Sequence, residues 1–385
     1  MTSKERVLAA LSYRPVDVLP IFDSLWPEWL HMFRRAKGLP SPPPEPGRLA
    51  DPWDEFGAWD RDACRYYGMD IRIASAVESP WPSGLRRLEP DGEYDRVIDS
   101  WGSVSRVRRG GYFVHTESPR MAPDDRNLDA LRFEPPGLDA RYAGFLETVR
   151  TESPYACVFT KVGGPFIRST RIRGFEQWLV DLAADPAFAT DLANRVADHL
   201  CEVGLESLRR ANLYDTGIWI FDDIAGNLGT LFSPQTFERV FLPAYSRTVA
   251  RFKGAGARHV LMHSDGDIRP VLPMLLEAGI EGINPVEYKA GMRVADLRKQ
   301  YGHRLRFVGG IDNAHIMPKG SDAEFERHVR EVVAVALEGG VVLGAHSIGP
   351  DVGVERYDHF HQLVRPGYDP PQRNAVLSSL RGAVR

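Results

Sequence analysis

The sequence predicts a (β/α)8 TIM barrel, and three observations carry that expectation. Short apolar runs alternate with longer helical patterns over most of the chain. Eight such runs fall near residues 18, 70, 156, 217, 259, 282, 306 and 341. The Gly-x-Gly-x-x-Gly turn that a doubly wound dinucleotide fold needs after its first strand is missing. Strand, helix, strand repeated in this way argues an α/β fold with a parallel sheet buried on both faces, and eight strands suit a closed barrel better than an open sheet. Gly226-Asn227-Leu228-Gly229 is a lone glycine pair and does not restore the dinucleotide fold. The 385 residues are 43% hydrophobic, enough to core one large barrel, so residues 1–385 are expected to form a single domain.

The elements follow in order. Thr2 or Ser3 caps a short opening helix whose Val7, Leu8 and Leu11 share one face, and which stops near Arg14-Pro15. A strand over 18–22 comes next. Pro40, Pro42, Pro43, Pro44, Pro46 and Pro52 then exclude regular structure over 38–54, since each fixes φ and removes a donor, so a surface loop is expected there. Over 91–119, Tyr94, Val97, Trp101, Val104, Val107, Tyr112 and Val114 are spread among polar residues around Gly110-Gly111, which predicts a β-hairpin insertion. Strands are then expected over 155–162, 217–221, 259–263, 282–286, 305–311 and 341–346. Helices over 175–211, 234–253, 268–278, 294–301 and 322–338 separate them.

Composition narrows the partners. Lys plus Arg number 48 against 52 Asp plus Glu, a net charge of −4, so no positive field is available to hold a nucleic-acid backbone and a small-molecule substrate is expected. Cys64, Cys157 and Cys201 are scattered, with no Cys-x-x-Cys, which suggests neither a disulfide framework nor a thiolate zinc knuckle. The start Met-Thr-Ser-Lys-Glu-Arg has no charged-then-apolar leader, and no apolar run approaches the ~20 residues of a bilayer span. A cytoplasmic protein without membrane attachment is the expectation, with a homodimer as the expected assembly.

In such a barrel the loops after each strand form the active face, so polar residues just past the apolar runs are the site candidates. They are Asp23 after the first strand, Lys161 at the third, Asp222 and Asp223 at the fourth, and His263, Asp265 and Asp267 at the fifth. Asn284 and Glu287 follow the sixth, Asp312 and Asn313 the seventh, and His346 the eighth. Asp222 and Asp223 could hold a substrate, ligate a metal or share a proton, with Asp222 the better functional candidate; in the plainer reading Asp223 caps a turn and only one of the pair faces the pocket. His-x-Asp at 263–265 puts two potential ligands on one side of an extended chain, and the barrel can bring His346 near, so imidazole and carboxylate could bind zinc or another divalent ion. His263 would look the same as a core histidine bonded to a carbonyl. Asp312 after Gly309-Gly310 reads equally well as a ligand contact or as a turn cap. Trp26, Trp29, Phe33, Trp53, Phe56 and Trp59 either roof the barrel mouth, with Trp26 at the substrate, or pack around the proline-rich loop.

With these residues in place, the chain resembles the uroporphyrinogen decarboxylase (URO-D) superfamily, and within it the corrinoid-dependent methyltransferase branch. The resemblance runs through Ser-Lys-Glu-Arg-Val-Leu-Ala-Ala-Leu at 3–11 with Pro15-Val16-Asp17 and Pro20, Gly163-Gly164-Pro165-Phe166, and Phe221-Asp222-Asp223 with Ser233-Pro234 and Pro243. It continues through 263–267, Asn284-Pro285-Val286-Glu287, Gly309-Gly310-Ile311-Asp312 and 346–352. It implies a (β/α)8 barrel. True uroporphyrinogen decarboxylases hold the substrate's propionates with Met-Arg-Gln-Ala-Gly-Arg-Tyr; here the matching region reads Asp23-Ser24-Leu25-Trp26-Pro27-Glu28-Trp29, which supplies no counter-charge. The thiol-alkylating methyltransferases bind zinc through His-x-Cys and a distant cysteine; this chain has His263, Asp265 at the first cysteine position, and His346 or Ser347 near the second. The resemblance therefore implies a methyltransferase that demethylates a small methoxylated or methylated-amine substrate toward a corrinoid protein, with Asp222, Asp223, His263 and Asp265 as catalytic candidates. Asp23, Trp26, Lys161, Asn284, Glu287 and Asp312 are the substrate-binding candidates, and His263, Asp265 and His346 the metal ligands. A carboxy-lyase acting on a small carboxylate or a tetrapyrrole, and a non-catalytic ligand-binding relative, stand as alternatives.

Overall fold

The computed structural model describes residues 1–40, 61–109 and 114–370. Eight of its strands are β1 (Ile21–Leu25), β2 (Ile71–Ser75), β3 (Cys157–Gly163), β4 (Gly217–Phe221), β5 (His259–His263), β6 (Gly282–Asn284), β7 (Arg306–Val308) and β8 (Val341–Ile348). They form one parallel sheet in the order β1-β8-β7-β6-β5-β4-β3-β2, with helices between successive strands. Each apolar run counted in the sequence has a strand of this sheet at or beside it, the first shifted from the expected 18–22 to Ile21–Leu25, past Pro20, and the fold is a (β/α)8 barrel.

Side chains alternate across each strand and divide the core in two. Phe22, Ile71, Ile73, Cys157, Phe159, Trp219, Leu261, Val308 and Val342 fill the barrel interior together with Val7, Leu8 and Leu11 of the opening helix Ser3–Leu11, which plugs one end. Their neighbours in sequence, among them Ile218, Ile220, Val260, Met262, Val341 and Leu343, belong to the larger core between sheet and helices. Each such side chain contributes about 1.5–3 kcal/mol on burial, which is why both strand faces are apolar. Thr2 caps the opening helix: its hydroxyl accepts the Glu5 N–H at 3.2 Å, and Glu5 accepts the Thr2 N–H at 2.9 Å. The strands β6 and β7 end earlier than the apolar runs suggest, because Pro285 has no N–H to pair and Gly309 and Gly310 turn to φ of 116° and 107°.

Two expectations are corrected. The insertion is a four-stranded antiparallel sheet, Arg86–Asp91, Tyr94–Ile98, Val104–Arg108 and Val114–Ser118, where the sequence predicted one hairpin over 91–119. Its first strand is almost entirely exposed and carries Leu88 as its one aliphatic residue, so no alternation marks it. Trp29 and Phe33 do not roof the mouth: both are fully buried on the helix Pro27–Ala36, against Tyr357 at 5.2 Å and Tyr67 at 5.6 Å. Trp53, Phe56, Trp59, most of the proline-rich segment and Gly110-Gly111 lie outside the described residues. Among those described, no helix is long and apolar enough to cross a membrane.

Asp70 closes the barrel between β1 and β2. Its N–H donates to the Ile21 carbonyl at 2.8 Å, and its carboxylate accepts the Ile21 N–H at 3.0 Å. Arg6 binds the same carboxylate at 2.6 Å and Arg365 binds its other oxygen, while Arg365 also donates to the carbonyls of Leu19 and Gly68. All three side chains are at most 4% exposed. Removing the anion leaves two guanidinium groups buried without it, a loss of about 3–5 kcal/mol. Asp70→Asn is therefore expected to lower the unfolding free energy by that amount in urea titration. A value within about 1 kcal/mol of wild type, below the range for breaking a buried pair, would contradict the role of this seam.

Candidate functional site

The register of β4, β5 and β6 sets the site. His263 lies opposite Phe221 on one side and Asn284 on the other. Leu261 and Trp219, two residues earlier, point into the barrel, so His263 and Phe221 do too, and their rings stack with centroids 4.4 Å apart. The Asn284 amide donates to the Val308 carbonyl at 2.9 Å, so its oxygen faces His263 Nδ1 at 2.7 Å. A carbonyl can only accept, and this chain of bonds puts the proton of the neutral ring on Nδ1 and the lone pair on Nε2.

That lone pair faces carboxylates. His263 Nε2 is 3.6 Å from Asp223 Oδ1 and 3.7 Å from Asp265 Oδ1, and His346 Nε2 is 3.4 Å from the same Asp265 oxygen. One ligand atom each from His263, Asp265 and His346 lie within 4.8 Å of one another. Asp265 Oδ1 is sealed from solvent and has no hydrogen-bond partner, although nearly half of its side chain is exposed. Donors about 2.1 Å from a tetrahedral ion stand about 3.4 Å apart, so the spacing and the orphaned oxygen both fit a divalent metal. Burial pushes the His346 imidazole down to about 3, with neighbouring His263 adding to the effect, so the ring stays neutral and able to ligate. His346 also sits at φ 71°, a left-handed conformation that costs a non-glycine residue about 1–2 kcal/mol.

The loop around Asp265 is tied down. Its N–H donates to Asp223 at 3.1 Å, the next N–H, of Gly266, donates to Glu287 at 2.9 Å, and the Ser264 hydroxyl accepts the Ile224 N–H at 3.1 Å. Gly266 has φ 84°, and a Cβ there would lie 2.6 Å from the Gly226 carbonyl oxygen, so glycine is required.

Other predicted residues fall elsewhere. Asp222, adjacent to inward Phe221, points out of the barrel and is fully buried. It accepts the N–H groups of Phe166 at 3.0 Å and Ile167 at 2.6 Å, at the start of the helix Pro165–Arg173, and the Tyr245 hydroxyl at 2.6 Å. It thus serves as a helix anchor where the sequence made it catalytic, and Gly164 makes room for it: a Cβ there would meet its carboxylate at 2.3 Å. Asp23 likewise points outward, fully buried and bonded to Tyr357 at 2.8 Å, on the face of β1 turned from the barrel interior. Asp312 caps a turn through the N–H groups of Ala314 and His315. Lys161 points inward, 5.7 Å from the Phe221 ring centroid, but is engaged with Glu78 at 3.0 Å. Against burial, which raises it, Lys161 and Arg168 hold the Glu78 carboxyl down to about 2. Glu287 pairs with Lys289 at 3.1 Å, and Trp26 directly follows β1, its backbone N–H on the carbonyl of Ile348 at the end of β8. The fold therefore gathers His263, Asp265, His346, Asp223 and Asn284. Phe221 was missed as part of the site, though alternation from His263 would have found it; Glu78, Tyr245 and Tyr357 were missed as the partners of Lys161, Asp222 and Asp23, and the tyrosines lie on distant helices.

Burial pushes the carboxyls of Asp23 and Asp222 from 3.8 up to about 7, against the hydrogen bonds each accepts. Between those values the unfolded chain has released protons that the folded one keeps, so stability falls as pH rises through this window. Asp222→Asn is expected to flatten that fall and to cost about 1–3 kcal/mol near pH 5, where the lost acceptors dominate. Denaturant titrations at pH 4.5 and 7.5 check both; identical pH slopes in variant and wild type would contradict the assignment.

No curated protein matches the chain. Among solved structures, a methyltransferase from Methanosarcina mazei superposes with a TM-score of 0.61 at 16% identity, over 100% of this chain and 99% of that one, a likeness that carries the fold. The family model for uroporphyrinogen decarboxylase (URO-D) matches residues 113–366, well over half of the sequence, and its barrel is the one observed; the chain belongs to the uroporphyrinogen decarboxylase family.

Proposed function

We propose that this protein is a methyltransferase that moves the methyl group of a small methoxylated or methylated-amine substrate to a corrinoid carried by a partner protein, with zinc or another divalent metal held by His263, Asp265 and His346. The observation that carries the reading is the triangle of donor atoms around the unpartnered Asp265 oxygen. Family membership and the likeness to the Methanosarcina mazei methyltransferase support its direction.

When bound, the ion supplies Lewis acidity to the donor's heteroatom. The chain's own residues do the rest. Asn284 keeps His263 Nε2 turned to the centre, and the Gly266 and Ser264 contacts hold Asp265 in reach. In the reaction the bond from the methyl carbon to oxygen or nitrogen would break with its electron pair staying on the heteroatom, and the partner's corrinoid would supply the nucleophile that accepts the methyl group. The departing heteroatom then takes a proton. We assign its delivery to Asp223, half exposed and 3.6 Å from His263 Nε2, since His263 in this tautomer presents only a lone pair. Phe221 and Trp219 form an apolar floor that keeps water from one side of the centre. Decarboxylation is the weaker reading, since Asp222, the carboxylate on which it would lean, is sealed behind β4.

Metal-loaded protein with free cob(I)alamin and a panel of methoxylated and methylamine donors is expected to form methylcobalamin, followed by absorbance. Asp223→Asn is expected to slow transfer about 10²-fold or more without loss of metal. Release of carbon dioxide from a carboxylated substrate with no methyl transfer from any donor would overturn the proposal.

A further inference from the structure

The left-handed conformation of His346 has a cause outside the barrel interior. Ile21 lies opposite Leu343, but Asp23 lies opposite His346, so β8 carries one more residue than β1 over this stretch. A bulge of this kind re-aims the side chain that follows it. At the bulge the strands nearly touch: a Cβ on Gly344 would sit 2.0 Å from the Phe22 carbonyl oxygen and 2.8 Å from Asp23 Oδ1.

We propose that Asp23 is the positioning residue of His346: its carboxylate, anchored by Tyr357, grips the bulged peptide and so brings His346 Nε2 beside Asp265. Asp23 Oδ1 accepts the Ala345 N–H at 2.5 Å, and the N–H of His346 also stabilises the carboxylate. The other oxygen accepts the Tyr357 hydroxyl at 2.8 Å. Tyr357, on the helix Val354–Val364, is fully buried and packs edge-on against Trp29 at 5.2 Å and Tyr67 at 4.9 Å, so the anchor cannot swing. The path runs from the helix layer through Tyr357 and Asp23 to the backbone of residues 345–346, and ends at the 3.4 Å contact between His346 and Asp265. Released from this grip, His346 relaxes to negative φ and its Nε2 leaves the triangle. Asp23 touches neither substrate nor metal; it acts through His346.

The proposal rests on the metal reading for one of its two tests. In the first, wild type, Asp23→Ala, Asp23→Asn, Tyr357→Phe, His346→Ala and the double variant Tyr357→Phe/His346→Ala, each checked for folding by circular dichroism, are titrated with Co2+. Asp23→Ala and Tyr357→Phe are expected to bind about ten- to a hundredfold more weakly, with absorption spectra shifted toward that of His346→Ala. Asp23→Asn, which keeps one acceptor oxygen, recovers part of the affinity, and Tyr357→Phe adds little once His346 is Ala. In the second, the crystal structure of Tyr357→Phe is expected to show His346 at negative φ. Wild-type Co2+ affinity in every folded Asp23 and Tyr357 variant, or an unchanged His346 backbone in that crystal structure, overturns the proposal. Wild type that binds no Co2+ defeats the metal reading alone, and the crystal structure then decides the clamp.

Discussion

The register of β5 against its neighbours is the constraint on which the site depends. With His263 level with Phe221 and Asn284, one layer of the barrel holds a stacking ring, an imidazole and the amide that fixes its tautomer. A slip of one residue would turn His263 into the helix layer and bring Met262 inward, so the hydrophobic pattern that folds the barrel also aims the His263 ring. Asp70 joins the two edge strands of the same sheet, bonding the backbone of Ile21 through both its N–H and its carboxylate.

Alternation also divides the acidic residues by task. Inward of the sheet or beyond its end, Asp223 and Asp265 face His263. Outward, Asp23 and Asp222 each meet a buried tyrosine and a pair of backbone N–H groups. These outward carboxylates tie β8 to the helix Val354–Val364 and the start of the helix after β3 to the end of β4. The burial that pushes both toward neutral pH is the cost of that arrangement.

The eight strands were legible in the sequence because each is an apolar run between turn residues, and the polar residues just beyond them marked the mouth. The convergence of His263, Asp265 and His346 was readable from the His-x-Asp spacing and the closure of the barrel. The direction of Asp222 was readable in principle: a strand that points Phe221 inward must point the next residue out. Asp23 was harder, since the bulge in β8 and the tyrosine that meets it lie more than three hundred residues away along the chain. The first strand of the insertion, with its exposed charged residues, gave no pattern at all.

Where the resemblance implies thiolates, this chain offers two imidazoles and a carboxylate, a donor set suited to borderline and harder divalent ions. Three donors leave room for a further ligand, as catalytic sites require. Metal content decides the matter most directly. Wild-type protein loaded with a divalent ion and dialysed is expected to retain about one equivalent per chain, and His263→Ala to lose most of it, as follows when one of three ligands is removed. Wild type that retains no metal, or a His263→Ala variant that retains as much as wild type, would contradict the account.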